Sequence, residues 1–352
     1  MIVKPSPFIV FALPRSRTAW LSRWLTYSGR VVGHDIAVEC DTIDDFLDSL
    51  SLGLSGTVET GSVNGWRLVR EALPTARIAV IFRPLPDVIA SLLAAGFPVT
   101  EATVEQLSAR LADMSELARQ PGVLSVSYDS LNSPEACNAL HEHLTGDAMD
   151  PVWWGHISKA HIVIDMPKRI ERLVERREKN AVLRREVDAA VTQQIAGRWL
   201  HVGIEPWRTA WPDAAPLATA HFNEVAANDE PWRKFVPVIS VMEQLCDNGI
   251  MKCITARRAG RFLGYMTWMV MPDIESYPLN CAQQGAWYAD PAARGVGLRL
   301  LRRSIHLFRR MGIDYLSLHH RLNGRGADLS RVFSRAGAVA HQHNYNLFLK
   351  GT

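Results

Sequence analysis

Short runs of β-branched and aromatic residues alternate with longer amphipathic stretches through the first half of the chain. This alternation is typical of an α/β domain built on a mostly parallel sheet. Residues 77–82, Arg-Ile-Ala-Val-Ile-Phe, form a continuous apolar run, as expected for a strand buried on both faces. The pattern predicts strands at 8–13, 31–33, 57–59, 77–82 and 123–128, and helices at 18–27, 41–50, 86–95, 104–119 and 133–144.

Two later segments differ from this pattern. Residues 168–185 carry charges of both signs at helical spacing, which indicates a solvated helix face rather than a nucleic-acid patch. Residues 203–218 are rich in Pro, Ala and Trp, which predicts a connecting segment. We therefore expect a first domain over 1–205, a linker over 206–220 and a second domain over 221–352.

The second half has a different order of elements. A helix is expected to end near 248, and a hairpin follows it around a turn at 257–260. The further elements predicted are a strand at 284–288, a helix at 298–311, a strand at 315–319, a helix at 328–336 and a strand at 342–349. The expected fold class is thus α/β, a parallel-sheet domain followed by an α+β domain.

Composition narrows the function classes. The chain has 352 residues, of which 47% are hydrophobic and 21% charged, as in folded soluble proteins. Its apolar stretches are too short for a membrane helix and its first residues lack a signal-peptide pattern, so we expect a cytoplasmic protein with no membrane partner.

The five cysteines contain no C-x-x-C pair, which favours reduced thiols and no metal site. A net charge of +3 argues against strong generic nucleic-acid binding, so anion binding must be local. The oligomeric state stays open.

The first strand runs directly into Pro14-Arg15-Ser16-Arg17-Thr18-Ala19 and then into a helix. A strand, a tight loop and a helix N-terminus together present unpaired backbone N–H groups and the positive end of a helix dipole. Such a site binds phosphate or sulfate. The loop lacks the glycines and the lysine of G-x-x-x-x-G-K-[ST], which argues against an ATP-dependent kinase.

This loop resembles the phosphosulfate-binding loop of PAPS-dependent sulfotransferases, and the segment Arg83-Pro84-Leu85-Pro86-Asp87-Val88-Ile89-Ala90-Ser91 resembles their 3′-phosphate segment. The resemblance implies a parallel-sheet P-loop domain that binds PAPS or another phosphorylated nucleotide. Arg17 stands where the family usually has glycine. The cofactor-binding residues implied are Arg15, Ser16, Arg17, Thr18, Ala19, Arg83 and Ser91. The general base of the family is a His or a carboxylate, for which the candidates following strands are His34, Asp35, Glu39 and Glu59.

A second resemblance lies in the run Ala289-Asp290-Pro291-Ala292-Ala293-Arg294-Gly295-Val296-Gly297-Leu298-Arg299. The run is similar to the loop of GNAT N-acyltransferases whose backbone amides bind the pyrophosphate of acetyl-CoA or another acyl-CoA. Phe333 stands where the family often has a tyrosine general acid, so His319 and His320 become the catalytic candidates. The cofactor-binding residues implied are Arg294, Gly295, Val296, Gly297, Leu298, Arg299 and Asn323.

Together these observations predict a bifunctional transferase. The second domain is expected to move an acyl group from acyl-CoA to an amine, and the first to transfer a sulfuryl or phosphoryl group to a small-molecule or modified-nucleotide acceptor. One alternative is a P-loop nucleotide or nucleic-acid kinase fused to an acetyltransferase. Another is a catalytically degenerate pair of ligand-binding domains that serves as an interaction protein.

Overall fold

The protein divides into two compact units, residues 1–199 and residues 200–352. The structure is a computed structural model that describes residues 6–160, 162, 166–225, 234–273, 276–319 and 329–340. Among the helices in these ranges, none is both long enough and apolar enough to cross a membrane. Each unit is built around its own five-stranded sheet.

The sheet of the first unit is parallel throughout, as the sequence predicts. Its strands stand in the order β2-β3-β1-β4-β5. Every residue of β1 is buried, and Phe8 is the register partner of Gly56 on one side and of Arg77 on the other. The strands are β1 (Phe8–Ala12), β2 (Val32–His34), β3 (Gly56–Glu59), β4 (Arg77–Phe82) and β5 (Val123–Ser127).

Helices cover both faces of this sheet. Ile9 and Phe11 of β1 pack into one hydrophobic cluster, and Phe8 and Val10 pack into a second. This division follows from strand geometry, since successive side chains point to opposite faces. The helices are α1 (Thr18–Leu25), α2 (Ile43–Leu52), α3 (Trp66–Ala72), α4 (Leu85–Ala94), α5 (Glu101–Ala118), α6 (Pro134–Thr145), α7 (Pro151–Ile157), α8 (Met166–Glu175) and α9 (Arg177–Ile195). The sequence patterns predict neither α3 nor α7.

The second unit holds a mixed sheet in the order β10-β9-β8-β7-β6. Neighbouring strands are antiparallel except β10, which runs parallel to β9. The strands are β6 (Leu200–Ile204), β7 (Met251–Arg258), β8 (Arg261–Pro272), β9 (Asn280–Ala289) and β10 (Tyr315–Ser317), and the helices are α10 (Trp207–Val225), α11 (Ile239–Asp247), α12 (Val296–Arg310) and α13 (Ser330–Arg335). The strand expected at 342–349 lies outside the described residues.

The linker expected over 206–220 is helical instead, because this segment lies almost wholly within α10. Trp207, Ala210, Ala214 and Ala218 recur at helical spacing and are all buried against the sheet. Their burial outweighs the cost of two prolines inside the helix. The division between the units accordingly falls at residues 199/200, and β6 belongs to the second unit.

Strand β9 is irregular midway along its length. The β8–β9 register shifts between Met266 and Trp268, and Thr267 Oγ1 accepts the backbone N–H of Ala286 at 2.8 Å. A side chain at Gly285 would place its Cβ 2.6 Å from the same hydroxyl, so this β-bulge requires glycine. On the other edge, β10 pairs only with the segment from Cys281 to Gln283. In the described part of the chain, β9 therefore continues past Gln283 without a strand on that edge.

Candidate functional site

The loop between β1 and α1 has an unusual backbone. Arg15 and Arg17 adopt φ values of 65° and 58°, in the left-handed region that favours glycine. Arg17 is the N-cap of α1 and forms no side-chain cap hydrogen bond. The first N–H groups of α1 therefore receive no acceptor from the cap residue and can bind an anion. Ser16 is fully buried, and its hydroxyl has no hydrogen-bond partner among the described residues.

The structure brings the two segments of the first resemblance together. Arg15 Nε donates a hydrogen bond to Ser91 Oγ at 3.2 Å, and Arg83 Nη1 donates to the carbonyl oxygen of Arg15. The guanidinium groups of Arg83 and Arg17 lie 4.4 and 5.3 Å from the ring centroid of Tyr128, which follows β5. Sequence reasoning missed Tyr128. An aromatic residue directly after a parallel strand is the signal that could have indicated it.

Three of the expected acid–base residues lie next to this loop. His34 Nε2 lies 3.0 Å from Thr18 Oγ1 and 3.7 Å from Asp35 Oδ2. Glu59 is 1% exposed and accepts hydrogen bonds from Thr57 Oγ1 at 2.6 Å and from the backbone N–H of Ile36 at 2.9 Å. Burial, and then the charge of Asp35, raise the pKa of Glu59 to about 8. Glu59 is therefore protonated at neutral pH and is able to donate a proton.

Glu39 lies elsewhere. It is exposed and forms an ion pair with Arg172, whose Nη2 is 2.6 Å from Glu39 Oε2. It does not line the cavity that holds His34 and Glu59. The structure thus does not bring Glu39 to the other candidates.

A cavity of about 390 Å³ opens beside the loop. Pro14, Arg15 and Thr18 form one part of its wall, and the carboxyl ends of β2 and β3 contribute His34 and Glu59. Its size is within the usual range of small-molecule sites, roughly 300–1,000 Å³. The loop and the candidate acid–base residues therefore open into the same space.

The loop of the second unit also ends in a left-handed residue. Gly295 has φ 82° and is the N-cap of α12, again without a side-chain cap bond. Asp290 fixes the start of the loop, because its Oδ1 accepts the Ala292 N–H at 2.9 Å. The residues expected to bind acyl-CoA differ in solvent exposure. Val296 is buried and anchors the helix, and Gly297 is half-buried. The exposed ones are Arg294, Gly295, Leu298 and Arg299.

The N-terminus of α12 lies beside β9. A Cβ built on Gly297 would lie 3.5 Å from Trp287 Nε1, and Phe333 of α13 stacks on Trp287 at 6.0 Å between ring centroids. His319 is exposed, and its backbone N–H donates to Gln284 Oε1 at 3.4 Å. Of the remaining candidates, His320 and Asn323 lie outside the described residues.

Sequence reasoning missed a further polar cluster in the second unit. His221 of α10 stacks on Tyr288 of β9 at 4.8 Å between ring centroids, and its Nδ1 lies 3.2 Å from Tyr265 Oη. The Tyr288 hydroxyl donates to Glu224 Oε2 at 2.8 Å. Burial and the Glu224 carboxylate raise the pKa of Tyr288 to about 12, so this phenol keeps its proton at neutral pH.

Comparisons with solved structures find acetyltransferases that match part of the chain. No protein-family model and no curated protein match the sequence. Among solved structures, a ribosomal-protein-alanine N-acetyltransferase from Brucella melitensis biovar Abortus 2308 matches 43% of this chain and 99% of its own, at 16% identity and TM-score 0.35. An aminoglycoside acetyltransferase from an uncultured soil metagenomic sample matches 43% of this chain and 97% of its own, at 14% identity and TM-score 0.35.

A glucosamine-6-phosphate N-acetyltransferase from Arabidopsis thaliana also matches 43% of this chain and 99% of its own, at 6% identity and TM-score 0.33. Identities and TM-scores this low leave the assignment of function to the residues of the chain itself.

Proposed function

We propose that the second unit is an acyl-CoA-dependent N-acyltransferase. The observation that carries the proposal is the position of Gly297 close to Trp287, since a Cβ built on Gly297 would lie 3.5 Å from Trp287 Nε1. It places the uncapped N-terminus of α12 beside the part of β9 that β10 leaves unpaired. Within the described part of the chain, an uncapped helix N-terminus for a pyrophosphate and an unpaired stretch of strand edge for the acyl arm are thereby neighbours.

The proposed reaction is a direct transfer. The acceptor amine attacks the thioester carbonyl, a C–N bond forms, the C–S bond breaks, and the amine proton leaves while the thiolate gains a proton. Backbone N–H groups of β9 past Gln283, other than that of Ala286, which donates to Thr267 Oγ1, are the proposed donors to the developing oxyanion. The protonated Tyr288 hydroxyl, held by Glu224, and the exposed His319 are the candidate proton carriers.

Substitutions at the two ends of α12 test this proposal. Gly295 and Gly312 both have positive φ, at 82° and 70°, and neither has a heavy atom within 4 Å of a built Cβ. Gly295→Leu and Gly312→Leu therefore impose similar backbone strain on the same helix. We expect Gly295→Leu to weaken acetyl-CoA binding in calorimetric titration at least tenfold, and Gly312→Leu to leave it unchanged.

Thiol release from acetyl-CoA in the presence of an amine panel then tests turnover. Unchanged acetyl-CoA affinity in Gly295→Leu would refute the site. Tight binding without turnover on any amine would favour a degenerate ligand-binding protein.

We further propose that the first unit binds a phosphorylated nucleotide, PAPS or another. The contacts Arg15–Ser91 and Arg83–Arg15 support it, because they gather cationic groups around a loop whose helix N-terminus is uncapped. Titration with PAPS, adenosine 3′,5′-bisphosphate and ATP tests it. Arg83→Gln should weaken binding about tenfold, and Arg70→Gln, which removes an exposed contact to Pro121 O, is the control. Binding of ATP alone would favour the kinase alternative.

A further inference from the structure

Arg110 of α5 is a half-buried cation in the wall of the first-unit cavity. Its one hydrogen bond within the described part of the chain runs from Nη1 to the carbonyl oxygen of Thr60, at 3.3 Å. Burial, and then the charge of Arg184, lower the pKa of Arg110, yet a guanidinium keeps its proton in proteins. A charge withdrawn from water is stable only when an opposite charge or several hydrogen bonds compensate it. Asp35 supplies a nearby opposite charge that raises the pKa of Arg110, and one carbonyl leaves most donors of the guanidinium unused.

The side chains that line the cavity carry a net positive charge. Three guanidinium groups line it, those of Arg15, Arg110 and Arg184. The carboxyl groups among the described lining residues are Asp35 and Glu59, and burial keeps Glu59 protonated at neutral pH. Asp35 Oδ1 already accepts two hydrogen bonds from Thr60, from its N–H and its hydroxyl, each at 2.8 Å. An anionic group is therefore favoured in this space over a cation.

The rest of the wall is apolar. Helices from several parts of the unit, and the loop between α4 and α5, turn aliphatic and aromatic side chains toward the same volume. Six of these are Phe46, Val69, Leu92, Phe97, Leu107 and Val187. Such a wall stabilises hydrocarbon by removing it from water.

We propose that this cavity binds a small apolar carboxylic acid. Its carboxylate pairs with Arg110, whose guanidinium geometry suits a carboxylate, and its hydrocarbon fills the space enclosed by α2, α5 and α9. The proposal concerns the first unit alone and does not rest on acyl transfer by the second. It also holds whether or not the adjoining loop binds a nucleotide.

Probes with the same hydrocarbon chain and differently charged head groups test which charge the cavity prefers. The full chain is titrated calorimetrically with decanoate, decanol and decylammonium, each below its micelle concentration. Decanoate should bind at least tenfold more tightly than decanol, and decylammonium should bind most weakly. Octanoate should bind more weakly than decanoate, by about fourfold for each CH₂ removed. Equal binding of decanoate and decanol, or preference for decylammonium, would overturn the proposal.

Three variants locate the binding. Arg110→Gln should weaken decanoate binding about tenfold or more while leaving decanol unchanged. Arg110→Lys retains the charge and should keep the preference for the anion. Arg119→Gln removes an exposed charge at the C-terminal end of the same helix and should match the wild type. Decanoate binding that survives Arg110→Gln refutes the site.

Two controls keep these outcomes separable. If Arg110→Gln lacks a cooperative melting transition, the three-probe series on the wild type decides alone. Acetyl-CoA affinity is measured on the same samples. Loss of decanoate selectivity with acetyl-CoA binding intact counts against the cavity proposal only, and the reverse result counts against acyl transfer only.

Discussion

Glu59 carries a proton because the fold removes its carboxyl group from water. Its pKa in the folded state, about 8, lies above the ordinary value of 4.5. The folded protein therefore holds a proton that the unfolded chain releases, and stability falls as pH rises from about 4.5 to about 8. Each pH unit in this interval costs at most about 1.4 kcal/mol.

Glu59→Gln should remove that dependence, because the amide is neutral at every pH and its carbonyl can still accept the Thr57 hydroxyl. We expect the variant and the wild type to have similar melting temperatures at pH 5, and the variant to be the more stable at pH 9. Melting curves at five pH values between these limits provide the measurement. Parallel pH profiles for the two proteins would show that Glu59 is not protonated in the fold.

Arg17 occupies a backbone conformation that glycine adopts without cost, at φ 58°. Arg17→Gly and Arg17→Ala both delete the guanidinium and its contact with Tyr128. They differ in the left-handed backbone, which only glycine tolerates freely. The glycine variant should therefore be more stable than the alanine variant by about 1 kcal/mol, as measured by denaturant unfolding. Equal stabilities would mean that the loop relaxes out of this conformation.

The candidate residues of the β1–α1 loop could be chosen from the sequence, because a few neighbouring residue types are enough to mark such a motif. Arg15, Arg83 and Ser91 belong to contiguous motifs, and the sheet brings the two motifs together. Arg110 could not be found in this way. It stands in an amphipathic helix among exposed charged residues, and only the packing of that helix makes it part of the cavity wall.

At the scale of elements, the two glycines beside Trp287 should respond in opposite directions. A methyl group at Gly285 would lie 2.6 Å from Thr267 Oγ1, whereas one at Gly297 would make ordinary contact with Trp287 at 3.5 Å. Gly285→Ala should destabilise the protein by about 1–3 kcal/mol through overpacking. Gly297→Ala, in the first turn of α12, should be neutral or stabilising by about 0.5 kcal/mol. Urea unfolding of both variants gives the comparison, and equal effects would contradict the geometry of the bulge.

Helix α10 shows where pattern reasoning failed. Pro206, Pro212 and Pro216 are typical of a connecting segment, because proline weakens a helix interior. The competing signal was the apolar spacing of Trp207, Ala210, Ala214 and Ala218, which marks a buried helix face. Local propensity favoured a linker, and tertiary burial favoured a helix. The cluster of His221, Tyr288 and Glu224 lies beyond the predicted linker, and it was missed because its members come from distant parts of the chain.

At the scale of the whole molecule, the sequence predicts a parallel sheet in the first unit and an antiparallel hairpin in the second. Continuous apolar runs indicate parallel strands buried on both faces, and the first sheet is parallel throughout. A turn between two strands indicates an antiparallel hairpin, and β7 and β8 form one, with Arg258 opposite Arg261. Strand order and the membership of β6 could not be predicted, because they depend on contacts between distant segments.

The central strand of the first sheet and the β7–β8 hairpin of the second differ in how far apart along the chain their partners lie. Phe8 pairs with Gly56 and Arg77, whereas β7 and β8 are joined by a tight turn. Pairing of distant segments is slow, since loop closure costs entropy before any contact forms. In pulse-labelled refolding followed by mass spectrometry, amides of β7 and β8 should gain protection before those of β1 and β4. Simultaneous protection of both sheets would contradict this order.

The same connectivity has a consequence during synthesis on the ribosome. β1 is made first and is entirely apolar, but its two neighbours emerge only after tens of further residues have been added. Until then it is an unpaired hydrophobic strand, which is the kind of segment that aggregates or recruits chaperones. The strand that positions the β1–α1 loop is thus also a segment of the nascent first unit that needs protection.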